Sequence, residues 1–159
     1  MLNVTIITVG TLKESYLREA AAEYEKRLGG FCKLDLIQLK ESKLPESPTE
    51  AQIGTALSAE GKQILAAIPT RAYRIAMCVE GTQISSEQLA KKLEEVGQTH
   101  GTVCLIIGSS YGIAPEVKNA CDYRLSVSKL TFPHQLMRVV LLETLYRSLG
   151  ITKGTKYHK

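Results

Sequence analysis

The residues with the clearest chemical potential lie near the carboxyl end of the sequence. Pro133 and His134 stand between the polar stretch SVSKLTF and an apolar, helix-forming stretch that carries Arg138. The last four residues place Tyr157 and His158 between two lysines. Cations that pair with phosphates and rings that stack on bases are the groups that bind unpaired nucleic acid. A frayed terminus is the default interpretation of such a tail, but its place in the same basic segment as Arg138 favours a functional one.

Charge is divided unevenly between two parts of the chain. Residues 1–122 contain 13 lysines and arginines against 15 acids, whereas residues 123–159 contain seven against a single acid, Glu143. This division predicts a polyanionic partner for the C-terminal part. A solvated basic tail is the alternative interpretation, and charge alone does not separate the two.

The sequence lacks the motifs of several common chemistries. The glycine turn IIGSSYG, which contains Gly108 and Gly112, is not the dinucleotide-binding pattern G-x-G-x-x-G and lacks the lysine of a P-loop. Such glycines either form a plain tight turn or let a flat ligand approach the backbone. Neither a metal-binding spacing of histidines and cysteines nor the hydrolase motif G-x-S-x-G is present. The motifs alone therefore predict only a ligand-binding α/β domain with a basic C-terminal surface.

Strand-like and helix-like stretches alternate along the sequence that must position these residues. The predicted strands are 4–9, 33–39, 73–80, 102–108 and 123–128, and the predicted helices are 15–28, 49–68, 85–98, 115–121 and 134–149. A capping box of Thr49 and Gln52 is expected to open the second helix. This order predicts a single α/β domain over residues 1–159 with a mainly parallel sheet. Ligands of such sheets bind at the carboxyl ends of strands, so Gly81, Gly108 and the loop after the fifth strand mark the expected site.

The last predicted helix is apolar on nearly every side. Leu142, Leu145 and Leu149 share one side, whereas Leu136 and Val140 fall opposite them. A helix of this kind belongs in a core or a membrane, and its charges and short length exclude a membrane span. Because one sheet covers only one side of a helix, we expect a second subunit to cover the rest in an isologous dimer. A helix buried within its own domain is the alternative.

The remaining composition favours a cytoplasmic protein. The opening residues MLNVTIITVG lack a basic leader and are too short to span a membrane, so they indicate a strand rather than a signal peptide. The four cysteines are widely spaced, and three lie in apolar or strand-like surroundings, which favours buried reduced thiols.

Three stretches together identify a family. IIGSSYG, LSVSKLTFPHQLMRVVLLETLYRS and the terminal YHK closely resemble the ribosomal large-subunit methyltransferase H family, within the SPOUT class of knotted methyltransferases. The resemblance extends over essentially the whole chain. It implies a homodimer with a five- to six-stranded sheet and a C-terminal trefoil knot over about residues 103–159, an exception to the usual rule against threaded chains. It also implies S-adenosyl-L-methionine as methyl donor, no metal ion, and methylation of N3 of a pseudouridine in a hairpin loop of 23S rRNA on the assembled ribosome.

The resemblance also assigns residues to the site. The implied cofactor pocket comprises Met77, Gly108, Val127, Ser128, Lys129, Leu130, Thr131 and Phe132. Two positions depart from the family pattern, since Met77 replaces a usual leucine and Ser109 replaces a usual glycine, which reduces backbone freedom there.

Three residues are implied in catalysis. Arg138 is expected to orient the uracil-type ring or stabilise its developing anion. Tyr157 and His158, contributed by the partner subunit, are expected to place the base, with His158 accepting or relaying its proton. His134 is expected only to hold the loop. A non-catalytic RNA-binding or ribosome-binding module that uses the same basic surface is the alternative function, and a flavodoxin-type redox protein is a weaker third.

Overall fold

Five parallel strands form the centre of the molecule, as the alternating pattern predicts. In the computed structural model, which describes residues 1–159, the strands are β1 (Leu2–Val9), β2 (Cys32–Leu39), β3 (Tyr73–Thr82), β4 (Thr102–Ile107) and β5 (Tyr123–Leu125). Their order across the sheet is β2-β1-β4-β3-β5. The register between β1 and β4 places Val4 opposite Val103. The uninterrupted apolar run of β4 lies in the middle of the sheet and is buried over residues 103–107 because helices cover both faces.

Five helices connect the strands. They are α1 (Ser15–Leu28), α2 (Glu50–Ala67), α3 (Ser86–Thr99), α4 (Pro115–Ala120) and α5 (His134–Thr152). The predicted capping box is confirmed, since the Gln52 backbone N–H donates to Thr49 Oγ1 at 3.1 Å and the Thr49 N–H donates to Gln52 Oε1 at 2.8 Å. One core cluster packs α1, α3 and α5 on the sheet, and a second packs α2 and α4.

Two predicted boundaries are wrong by three residues. Strand β5 ends at Leu125 rather than at Ser128, because Ser126 Oγ donates to the Ser128 carbonyl and the Leu130 N–H donates to Ser128 Oγ, both at 2.9 Å. Such side-chain bonds to the backbone compete with a strand ladder. Helix α5 continues past Gly150 to Thr152 and is followed by Gly154, which has a φ of +73°.

Helix α5 is covered by more than the sheet. It contacts both α1 and α3, and Leu141, Leu142 and Leu145 have no exposed surface. The sequence-based prediction assumed that only the sheet of the same chain covers α5. The structure shows that α1 and α3 also cover its flanks. Leu136 and Val139 remain only partly buried. The second subunit stays a prediction for that remaining surface.

All four cysteines are free thiols. Cys32 and Cys104 are buried, and Cys78 and Cys121 are partly buried. Burial raises the pKa of Cys32 to about 11 and that of Cys104 to about 12. Both thiols therefore stay protonated at neutral pH and pack as small apolar side chains. None of the helices is sufficiently long and apolar to cross a membrane.

Replacing Gly54 with alanine is expected to stabilise the fold. Gly54 lies inside α2, and a Cβ added there would meet no atom within 4 Å. Glycine in a helix costs about 0.5–1 kcal/mol relative to alanine. Urea unfolding of Gly54→Ala should show a free energy of unfolding higher by about that amount at an unchanged m-value. A lower free energy of unfolding would contradict this account of α2.

Candidate functional site

A cavity of about 580 Å³ opens at the carboxyl ends of β3, β4 and β5. This volume falls within the roughly 300–1,000 Å³ range of small-molecule sites. Three segments of the chain form its walls, namely residues 77–80 in the second half of β3, residues 107–113 from the end of β4, and residues 125–134, except Lys129, from the end of β5 to the start of α5. The cavity therefore lies at the edge of the sheet where the sequence predicts a ligand.

The glycine turn after β4 requires glycine at its first position. A Cβ on Gly108 would overlap the carbonyl oxygen of Gly112 and lie 2.7 Å from Ile113 Cγ1. The Gly112 N–H donates to the Ser109 carbonyl at 2.9 Å, and Gly112 has a φ of +95°. Ser109 is buried but its φ is not positive, so this departure from the family pattern places no strain on the backbone. Glycine at position 108 therefore lets the turn fold back on itself, with the Gly112 carbonyl packed where a side chain would begin.

A bulge in β3 forms the opposite wall. The pairing of β3 with β5 shifts between Met77 and Thr82, which both lie opposite Leu125. The intervening segment 78–81 leaves the ladder, and three of its residues line the cavity. Gly81 passes so close to β5 that a Cβ would lie 2.7 Å from the Arg124 carbonyl oxygen. A close backbone approach therefore fixes the position of this wall.

The loop between β5 and α5 forms the third wall and the rim. Val127 and Ser128 are partly buried, whereas Leu130 and Phe132 are 75% and 38% exposed. The chain then enters α5 through Pro133, with no side-chain cap on that helix end. Exposed large apolar side chains at a cavity mouth are typical of surfaces that a ligand or a partner covers.

Most residues predicted for the cofactor pocket line this cavity. They are Met77, Gly108, Val127, Ser128, Leu130, Thr131 and Phe132. Lys129 is exposed and does not line it. The structure thus brings together three separate segments, since 31 positions separate Met77 from Gly108 and 19 separate Gly108 from Val127.

The cavity is also lined by residues that the sequence analysis did not assign to the cofactor pocket. Tyr111 is 45% exposed at the rim. Lys118 donates to the Glu80 carboxylate, and this hydrogen bond is the main reason that the pKa of Glu80 lies below its usual value. His134 and Met137 at the start of α5 complete the lining. Tyr111 lies three residues after Gly108 in the glycine turn, so a sequence pattern could have indicated that it lines the cavity. Glu80 and Lys118 are 38 residues apart, so no local pattern links them.

Arg138 does not line this cavity. Its Nη1 donates to Gln38 Oε1 at 3.2 Å and its Nη2 donates to the Gly10 carbonyl at 3.0 Å, so the side chain points to the carboxyl ends of β1 and β2. The residue is 5% exposed. Burial lowers the pKa of the guanidinium, an effect that the nearby Glu25 opposes. Arginine nevertheless remains charged at neutral pH.

The C-terminal tail is docked on its own chain, away from the cavity. Tyr157 Oη donates to Glu143 Oε2 at 2.7 Å, and this bond is the main reason that the pKa of Tyr157 is raised. His158 Nε2 lies 2.7 Å from Glu87 Oε1, and its Nδ1 lies 3.2 Å from Arg147 Nη1. The three residues predicted for catalysis therefore do not converge on the cavity within one chain. No group of three or more His, Cys, Asp or Glu side chains is arranged to hold a metal ion.

Comparison with known proteins decides the family. The family described as "Predicted SPOUT methyltransferase" matches residues 2–158. The chain belongs to the SPOUT methyltransferases. It is 48% identical to ribosomal RNA large subunit methyltransferase H of Bifidobacterium adolescentis, over 99% of this chain and 100% of that protein. It is 42% identical to the protein of the same name from Clostridioides difficile, with the same coverage. These relatives place the chain in the methyltransferase H branch of the SPOUT family.

Solved structures support the same fold. A probable methyltransferase from Bordetella pertussis Tohama I matches with a TM-score of 0.58 and 13% identity, over 93% of this chain and 95% of that one. The tRNA (m1G37) methyltransferase from Aquifex aeolicus matches with a TM-score of 0.54 and 9% identity, over 91% of this chain and 69% of that one. At such identities the likeness concerns the fold alone.

Proposed function

We propose that this SPOUT methyltransferase transfers a methyl group from S-adenosyl-L-methionine to N3 of a pseudouridine in a hairpin loop of 23S rRNA, on the assembled ribosome. The observation that carries the proposal is the cavity at the carboxyl ends of β3 to β5, which is lined by the glycine turn and by the loop after β5. The names of relatives at 42–48% identity support a ribosomal RNA substrate. The exposed lysines Lys153, Lys156 and Lys159 support a polyanionic partner.

The cavity fits S-adenosyl-L-methionine in size and chemistry. Half of its 22 lining residues are hydrophobic, which suits an adenine ring, and the backbone at Gly108 and Ser109 offers hydrogen-bonding groups beside them. The Gly112 carbonyl packs where a Cβ of Gly108 would lie, so glycine at this position keeps the turn tight beside the cavity. When bound, the sulfonium compound supplies an electrophilic methyl group. The role of this chain is then to hold the accepting nitrogen in line with that group.

The catalytic roles of Arg138, Tyr157 and His158 remain part of the proposal. We assign to Arg138 the orientation of the target nucleotide or stabilisation of its developing anion. We assign to Tyr157 and His158 of a second subunit the placing of the base, and to His158 the acceptance or relay of its N3 proton. The separation of these residues from the cavity within one chain supports a site completed by a second subunit.

The homodimer and the knot are proposed on related grounds. Strand β5 is at the edge of the sheet, yet α5, which follows it, packs on α1, α3 and β4. This return of the chain across the sheet supports a threaded path over about residues 103–159. The partly buried Leu136 and Val139 and the exposed Leu130 offer apolar surface to a second copy.

Mapping of rRNA nucleotides by mass tests the proposed reaction. Cells with the gene should carry a methyl group on a pseudouridine of a 23S rRNA hairpin loop, and cells without the gene should lack it. Purified protein should restore the methyl group on ribosomes from the deleted strain. An identical methylation pattern in the two strains would exclude the proposed reaction.

Calorimetry with S-adenosyl-L-methionine separates the enzyme from a non-catalytic RNA-binding module. The enzyme should bind the compound with a measurable heat and one site per cavity. A module that only binds RNA has no need of this ligand, so the absence of binding would favour the module instead.

A further inference from the structure

A second cavity, of about 340 Å³, lies at the carboxyl ends of β1 and β2, where α1 and α5 cover the sheet. We call it the Arg138 cavity. Its polar lining consists of Thr8, Thr11, Arg18, Glu25, Gln38 and Arg138. It shares no lining residue with the larger cavity at β3 to β5. The methyl donor proposed above therefore does not account for it.

Two buried side-chain atoms in the molecule lack a hydrogen-bond partner, and both belong to residues of the Arg138 cavity. They are Thr8 Oγ1 and Arg138 Nε. Thr8 is 2% exposed and Arg138 is 5% exposed. Buried polar atoms are nearly always hydrogen-bonded, and leaving one unpaired is costly. Because both residues line one cavity, a single polar guest bound there can supply both missing partners.

The charges around the Arg138 cavity favour a negatively charged guest. Arg18 and Arg138 contribute two positive charges, and Glu25 contributes one negative charge. Burial is the main cause of a raised pKa at Glu25, and Arg138 opposes that shift. One unit of positive charge is therefore left uncompensated by the lining residues.

Hydrogen-bonding capacity points the same way. Gln38 Oε1 already accepts from Arg138, which leaves the amide N–H groups of Gln38 as donors. Arg18 uses only Nη1, for the carbonyls of Leu12 and Lys13. Arg138 Nε is a donor without an acceptor. Donors thus exceed acceptors, and a guest with several anionic oxygens satisfies them best.

We propose that the Arg138 cavity binds a phosphate group. The group comes either from the RNA backbone, a source that rests on the function proposed above, or from free phosphate in solution. With RNA bound, Arg138 would orient the target nucleotide through its backbone. Thr8 Oγ1, Arg138 Nε and Arg18 are the donors to the phosphate oxygens.

Titration of inorganic phosphate into the full-length protein tests the site at constant ionic strength. NMR signals of the Thr8, Gly10 and Thr11 amides and of the Arg138 Nε–H should shift and saturate, and those of Gly108 and Val127 should not. Thr8→Val keeps the shape of the side chain and removes the unpaired hydroxyl. It should weaken phosphate binding about 10-fold, the effect of losing one hydrogen bond to a charged group.

Two further variants make the test specific. Arg18→Gln changes an exposed residue of α1 and should also weaken phosphate binding. Thr5→Val is the matched control, since Thr5 is buried on the same strand at 5% exposure but does not line the cavity. It should bind phosphate as the unaltered protein does. Shifts that do not saturate, or equal affinity in Thr8→Val and Thr5→Val, would overturn the proposal and leave a cavity filled only by water.

Competition with an RNA hairpin distinguishes the two sources. If the phosphate belongs to RNA, inorganic phosphate should compete with the hairpin. Arg18→Gln should then reduce the slope of log affinity against log salt concentration by about the amount expected for one phosphate contact. If hairpin binding is indifferent to phosphate while the NMR shifts persist, the source is free phosphate and the site still stands. If the protein does not methylate rRNA but still binds phosphate in this cavity, the proposed function is wrong and the phosphate site stands.

Discussion

Removal of residues 157–159 is expected to abolish methylation of rRNA while leaving the affinity for S-adenosyl-L-methionine largely unchanged. The proposed cofactor cavity contains no residue after Met137, so the truncation does not alter its walls. The truncation does remove Tyr157 and His158, which are proposed to place the base and to take its proton. Methyl transfer to ribosomes from a strain without the gene, together with calorimetry of the truncated protein, measures both quantities.

The docked tail gives a physical reason why these residues must move to act. Arg147 donates to His158 Nδ1, so the neutral ring carries its proton on Nε2, which faces Glu87. Neither nitrogen of His158 is then free to accept a proton. The side chain of Glu87 is 62% exposed, and contacts to an exposed carboxylate contribute little to stability. The His158–Glu87 contact is therefore weak, but release of the tail toward a neighbouring subunit also requires Tyr157 to leave Glu143 and the ring of Tyr146.

Glu87→Gln is the matched control for the truncation. It weakens the docking of His158 but keeps the tail complete, so it should retain methylation. Normal methylation of ribosomes by the truncated protein would show that Tyr157 and His158 have no role in the reaction. Loss of S-adenosyl-L-methionine binding on truncation would show instead that the tail supports the cofactor cavity.

The fold was predictable because each element carries a local signal. The apolar run of β4 indicates a central parallel strand, and the capping box at Thr49 fixes the start of α2. The end of β5 was mispredicted because Ser126 and Ser128 fit a strand pattern but bond to the backbone instead. The cover that α1 and α3 give to α5 was not predicted, because periodicity reveals which sides of a helix are apolar and not which neighbours cover them.

The site was predictable only in part. The glycine turn and the loop after β5 are contiguous stretches, so their residues could be named from the sequence and are found on one cavity. The contact of Tyr157 with Glu143 and that of His158 with Glu87 join residues 14 and 71 positions apart, and no local pattern encodes them. The direction of Arg138 toward Gln38 and Gly10 is likewise a tertiary property.

Replacing Gly108 with alanine is expected to weaken binding of S-adenosyl-L-methionine strongly. The added Cβ would overlap the Gly112 carbonyl oxygen, and this neighbour is backbone that no side-chain rotation can move. The turn must shift to make room for the alanine side chain, at a cost of about 1–3 kcal/mol in free energy. If the substitution destabilises the conformation that binds S-adenosyl-L-methionine by this amount, the affinity for that compound drops by about 5- to 150-fold. Calorimetry measures the loss directly.

Gly54→Ala is the control for Gly108→Ala, because it adds the same methyl group where nothing lies within 4 Å. It should bind S-adenosyl-L-methionine with unaltered affinity. Urea unfolding of both variants separates a local shift of the turn from loss of the fold, since the buried β4 should keep Gly108→Ala folded. Equal affinity of Gly108→Ala and the unaltered protein would mean that the glycine turn is not part of the cofactor site. The cavity at β3 to β5 would then need a ligand whose binding does not depend on the shape of that turn, because Gly108→Ala must displace the Gly112 carbonyl.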